Sequence, residues 1–137
     1  MTTFGVFARV FPPGTPLEIA SAIKDASLDK DLTPAISESI ASEFKKSGVS
    51  IWGLSATFNA IHPDLNRRHT DLEIAKLMIP NAPHLGAEVV TICTGTRNPE
   101  NMWKSHPDNE TDSAWKDLLE TLQEMIPLAK VAGITLG

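Results

Sequence analysis

The residues of this 137-residue chain that could do chemistry gather in two stretches. One reads Thr57-Phe58-Asn59-Ala60-Ile61-His62-Pro63-Asp64, the other Thr94-Gly95-Thr96-Arg97-Asn98-Pro99-Glu100-Asn101-Met102-Trp103, running on to Lys104-Ser105-His106-Pro107-Asp108-Asn109. His-Pro-Asp occurs in both, at 62–64 and at 106–108. In such a tripeptide proline fixes a turn and aspartate caps the next helix, which is the reading preferred for Asp64 and Asp108. The imidazoles of His62 and His106 have two readings: ligands for a metal or for substrate hydroxyls, or solvated loop side chains. A guanidinium at Arg97 suits a phosphate or carboxylate held through two parallel hydrogen bonds, and equally an ion pair with Glu100 or Asp108. Trp103 offers either an aromatic wall for the apolar face of a sugar or a lid over the mouth of a site.

Other chemistries have less to stand on. Thr94-Gly95-Thr96 lacks the fuller glycine pattern of either common nucleotide loop. Cys93 has no base near it in sequence, and as the single cysteine it forms no internal disulfide and no Cys-x-x-Cys zinc pair. His69 and His84 fall on or behind expected helices and rank below the loop histidines. No acidic pair stands out for glycoside hydrolysis. Twelve basic against seventeen acidic side chains give a net charge of −5, so no bulk positive field draws in a phosphate backbone, and no nucleic-acid partner is expected. No apolar run nears the ~18 residues of a membrane span and the N-terminus does not read as a signal peptide. The expectation is a cytoplasmic protein with no membrane partner.

Elements of regular structure must hold these loops. With 42% apolar residues the chain has material for one compact core, and no linker or low-complexity tract divides it, so residues 1–137 are read as one domain. Phe4 to Val10, Val49 to Ala56, Glu88 to Cys93 and Gly133 to Leu136 are short, apolar and partly β-branched, as strands covered on both faces are. Gly48, Gly86 and Gly133 each close a helical stretch just before an apolar one, the position of a left-handed C-terminal cap. Four helices are expected between the strands. The first opens at Thr15-Pro16-Leu17-Glu18, a capping box, and carries Ile19, Ala22, Ile23 and Ala26 on one face. The second begins at Thr33-Pro34 with Ile36, Ile40 and Phe44. The third begins near Asp64 to Asn66, includes Leu72, Ala75 and Ile79, and should kink or stop at Pro80. The fourth comes after Thr111 and should bury Trp115, Leu118, Leu119, Leu122, Ile126 and Ala129, with a bend at Pro127. Trp52 and Trp115 are expected in the core or at an interface.

Alternation of this kind predicts parallel strands with right-handed crossovers, and ligand-binding loops at the carboxyl ends of the strands. The fold class is α/β, with about four parallel strands and flanking helices. Only Ser27 to Leu32 separate the first two helices, too short and too charged to supply the strand the rhythm calls for there.

The run Trp52-Gly53-Leu54-Ser55-Ala56-Thr57-Phe58-Asn59 with His62-Pro63-Asp64, then Thr91-Ile92-Cys93-Thr94-Gly95-Thr96-Arg97, Met102-Trp103 and His106-Pro107-Asp108-Asn109, resembles the sugar phosphate isomerase/epimerase group of the xylose-isomerase-like barrel superfamily. The resemblance runs from Phe4 to the final strand and covers the front half of a (β/α)8 barrel, a fold of ~250 residues. It implies a partial TIM barrel (a half barrel) and a sugar or sugar phosphate substrate. The implied reaction is interconversion of aldose and ketose, or of epimers, beside a carbonyl polarised by a divalent cation, Mn, Mg or Zn. Asn59, His62, Arg97, Trp103 and His106 would line the substrate mouth. The sequence ends at Ile134-Thr135-Leu136-Gly137, where the family's first metal-binding glutamate is expected, so no metal ligand and no catalytic residue is carried over. This chain alone is not expected to turn over substrate, and exposed barrel edges imply a homo-oligomer. A noncatalytic half-barrel assembly or sugar-binding module is the alternative. The superfamily's abasic-site DNA nucleases are a third reading, disfavoured by the net negative charge.

Overall fold

The computed structural model describes residues 32–137 apart from 47 and 49. The expected strand at Phe4 to Val10, the expected helix opening at Thr15, and the short link between it and the next helix, up to residue 31, lie outside the described residues. From there on, helices and strands alternate as expected: α1 (Pro34–Lys46), β1 (Gly53–Ser55), α2 (Leu65–Asn81), a 3-10 turn (Pro83–Leu85), β2 (Val89–Thr91), a 3-10 turn (Pro107–Glu110), α3 (Asp112–Ala132) and β3 (Thr135–Leu136).

The strands form one parallel sheet in the order β1-β2-β3, with Leu54 opposite Val90 and Val90 opposite Leu136. Three strands are present among the described residues, and the sheet does not close. The row Leu54, Val90 and Leu136 packs onto a core built with α2 and α3, in which Ile79, Met125 and Val90 are the largest fully buried side chains.

Local chemistry sets the boundaries. Thr33 Oγ1 accepts from the Ile36 N–H at the start of α1. Asp64 caps α2, its Oδ1 accepting from the N–H groups of Asn66 (2.9 Å) and Arg67 (3.1 Å), which satisfies two donors the helix cannot. Helix α2 runs one residue past Pro80 and ends at Asn81. Thr111 caps α3 through the Ala114 N–H. Gly48, Gly86 and Gly133 all take left-handed φ, between 69° and 79°, as their capping positions predict.

The buried face of α3 departs from the expectation. Leu118 and Ala129 are buried as expected, but their companions are Ala114, Thr121 and Met125, while Trp115, Leu119 and Ile126 are exposed. The reason is steric and polar together. Alanines at 114 and 129 let the helix approach closely, and Thr121 can go inside because its hydroxyl donates to the Ala60 carbonyl at 3.0 Å. Choosing by apolar size therefore rotates the helix by roughly one residue. Of the two places expected for Trp52, core or interface, the core is excluded, since its side chain is at the surface. No helix among the described residues is long and apolar enough to cross a membrane.

The rotated phase can be tested on adjacent residues. Met125→Ala should lower the unfolding free energy by about 2–5 kcal/mol, whereas Ile126→Ala should stay within about 1 kcal/mol. Urea titration of both variants reads this directly, and the reverse order would contradict the packing.

Candidate functional site

Strands β1 and β2 both lead at their carboxyl ends into the two chemistry-bearing loops, so parallel pairing alone brings these loops side by side. A direct clasp then joins them. Asn59 Nδ2 donates to the Thr96 carbonyl and Asn59 Oδ1 accepts from the Thr96 N–H, both at 2.8 Å, with both residues buried. Gly95 makes this approach possible. At φ 84° a Cβ on Gly95 would fall on Asn59 Oδ1 and lie 2.7 Å from the Ala60 nitrogen. The glycine of Thr94-Gly95-Thr96 thus serves loop-to-loop contact, and the Thr96 N–H is spent on Asn59.

His62 is the second tie between the loops. Its Nδ1 accepts from the Asp64 N–H at 3.0 Å and its Nε2 donates to the Pro99 carbonyl at 3.3 Å, which fixes the proton on Nε2. The ring is buried and both nitrogens are committed. His106 repeats the first half of this pattern, Nδ1 accepting from the Asp108 N–H at 3.2 Å at the cap of the second 3-10 turn.

Arg97 turns away from the loop mouth toward α3. Its Nη2 lies 2.6 Å from Asp117 Oδ2 and 3.2 Å from Ser113 Oγ, and Nη1 donates to the Ile61 carbonyl at 3.1 Å. The partner is Asp117 rather than Glu100 or Asp108. Arg68 Nη1, from α2, lies 2.6 Å from the same Asp117 oxygen. One carboxylate thus holds together α2, the loop after β2, and α3. Burial pushes the Asp117 carboxyl up, but hydrogen bonds and charge from Arg68 and Arg97 outweigh it, leaving its pKa below the usual carboxylate value.

Between the clasped loops lies a cleft of about 230 Å³ lined by Asn59, His62, Arg67 and residues 98–103. Three of the five sequence-nominated residues, Asn59, His62 and Trp103, therefore share one space, while Arg97 and His106 lie outside it. Trp103 is 72% exposed at the rim. Sequence reading missed Arg67, Asn98 and Asn101. Neighbouring Arg67 and Arg68 are indistinguishable by type, and only the ~100° turn per helical residue sends one to the cleft and the other to Asp117.

A divalent cation needs several convergent oxygen or nitrogen ligands. Among the described residues no three His, Cys, Asp or Glu side chains converge, and His62 has no free ring nitrogen. The donors among the described residues do not fit such an ion. Cys93 is half-buried and unpaired in any disulfide.

A parallel sheet backed by helices, with its chemistry-bearing loops at the carboxyl ends of the strands, places the chain among α/β proteins. Its family is given by comparison: a family model described as xylose isomerase-like TIM barrel matches residues 12–137, and the chain belongs to that family. No curated protein matches it.

The clasp and the shared carboxylate each set a measurable outcome. Gly95→Ala should cost at least about 2 kcal/mol, because it adds strain at positive φ to a collision with the Asn59 clasp; a melting temperature equal to that of the parent would refute the clasp. Because folding lowers the Asp117 pKa, its stabilisation is complete above the unfolded value of about 3.9 and is lost as pH falls through the folded value. Asp117→Asn should therefore cost about 2–4 kcal/mol at pH 7, and the gap to the parent should shrink below pH 4 in denaturant titrations.

Proposed function

We propose that this chain forms part of the substrate mouth of a sugar or sugar phosphate isomerase/epimerase-like protein. The supporting observation is the cleft between the loops after β1 and β2, with Trp103 exposed at its rim above Asn59 and His62. An indole face packs against the C–H face of a pyranose, and the rigid walls orient the ring. The reaction class of the reading is movement of hydrogen between adjacent carbons of an aldose or ketose, and it uses a divalent cation in the family as a whole. Among the described residues His62 is not assigned as a general base, since it spends both ring nitrogens on main-chain groups.

A second reading, a noncatalytic sugar-binding module that self-associates, is favoured by that same commitment of polar side chains and by the lack of convergent metal donors among the described residues. Self-association has support in the exposed row Trp115, Leu119 and Ile126 on α3.

Both readings require sugar in the cleft and differ in turnover. Addition of aldoses or ketoses should change tryptophan fluorescence in the parent and not in Trp103→Phe, with binding weakened about tenfold in Trp103→Ala. Metal-supplemented assays of aldose–ketose interconversion then separate the two: product formation favours the isomerase, and binding without product favours the module. A fluorescence response identical in Trp103→Phe would remove the cleft from both.

A further inference from the structure

The hydrogen-bonding groups left over in the cleft are unequally divided. Asn98 spends its Oδ1 on the N–H groups of Glu100 (3.0 Å) and Asn101 (2.9 Å), and Asn101 spends its Oδ1 on the N–H of Trp103 (2.9 Å). Since a carboxamide oxygen must face each N–H, both residues keep their NH2 ends free. Asn59 has both ends tied to Thr96, and the Pro99 carbonyl already accepts from His62. Arg67, on the first turn of α2, has its side chain 62% exposed and its nearest carboxylate, Asp71, at 3.9 Å. An exposed i,i+4 pair at that distance holds a guanidinium weakly. The lining side chains therefore offer a guanidinium, two NH2 groups and the Trp103 indole N–H, against a single carboxylate, Glu100.

A cleft rich in donors selects a ligand rich in acceptors. Resting on the carbohydrate reading, we propose that the cleft takes a polyol bearing one anionic group, and that Arg67, not Arg97, holds that group. A guanidinium fork matches the paired oxygens of a carboxylate or phosphate, and the NH2 groups of Asn98 and Asn101 donate to the anion or to adjacent hydroxyls. Arg97 cannot take this role while Asp117, Ser113 and the Ile61 carbonyl hold its guanidinium. Glu100 sets a bound on charge: it repels a second negative charge, so a carboxylate is held better than a phosphomonoester.

The test uses the full chain, ¹⁵N-labelled, titrated at fixed ionic strength with glucose, gluconate and glucose 6-phosphate while the amides of residues 98–103 are followed. Both anions should bind about tenfold or more tightly than glucose. Arg67→Gln should weaken gluconate and glucose 6-phosphate at least about tenfold more than it weakens glucose, with the melting temperature unchanged. Glu100→Gln should raise the affinity for glucose 6-phosphate more than that for gluconate. Equal binding of glucose and gluconate, or equal weakening of all three ligands by Arg67→Gln, overturns the anion assignment and leaves the carbohydrate reading standing. No response from any of the three overturns both.

Discussion

The loops that make the cleft depend on one buried exchange, the carboxamide of Asn59 paired with the main chain of Thr96. Both β1 and β2 are three residues long, and past their ends the main-chain groups need other partners. Asn59 supplies a donor and an acceptor in the spacing of a peptide group, so it acts as one more rung of the ladder after the chains have diverged. Removing it would strand a buried N–H and a buried carbonyl together, which is costlier than losing either bond alone. Gly95 is the steric condition for this rung, and His62 bonding to the Pro99 carbonyl extends the contact one step outward.

A second constraint acts at right angles to the sheet. Asp117 draws Arg68 and Arg97 to the same oxygen, so the helix after β1, the loop after β2 and the helix after that loop cannot shift independently. Two guanidinium groups around one mostly buried carboxylate leave a net positive charge there. The Ile61 carbonyl and the Ser113 hydroxyl, which accept from Arg97, take up part of it.

Much of the fold was legible because capping and glycine signals are local. Thr33, Asp64, Thr111, Gly48, Gly86 and Gly133 do what their types and positions imply, and no tertiary contact is needed to see it. The phase of α3 was not legible, since whether Thr121 or Trp115 goes inside depends on a carbonyl sixty-one positions away from Thr121, that of Ala60. The site was half legible for a related reason. Sequence finds residues with chemical capacity, such as Arg97 and His62, but whether that capacity is free is decided by partners on other elements. The repeated His-Pro-Asp illustrates this: the Nδ1 contact is local and recurs at both places, whereas the Nε2 contact of His62 is tertiary and ties it to Pro99.

The consequence reaches function. Where polar side chains are consumed in fixing loops, the ligand meets walls that are already ordered, and binding is spared the cost of immobilising them, about 0.5–1.5 kcal/mol per side chain. In the proposed reading, specificity then passes to the groups the scaffold leaves over, the rim from Arg67 to Trp103. These are solvated and individually weak, so they act together or not at all, and discrimination rests on the balance of donors and acceptors they jointly present rather than on any one deeply buried contact.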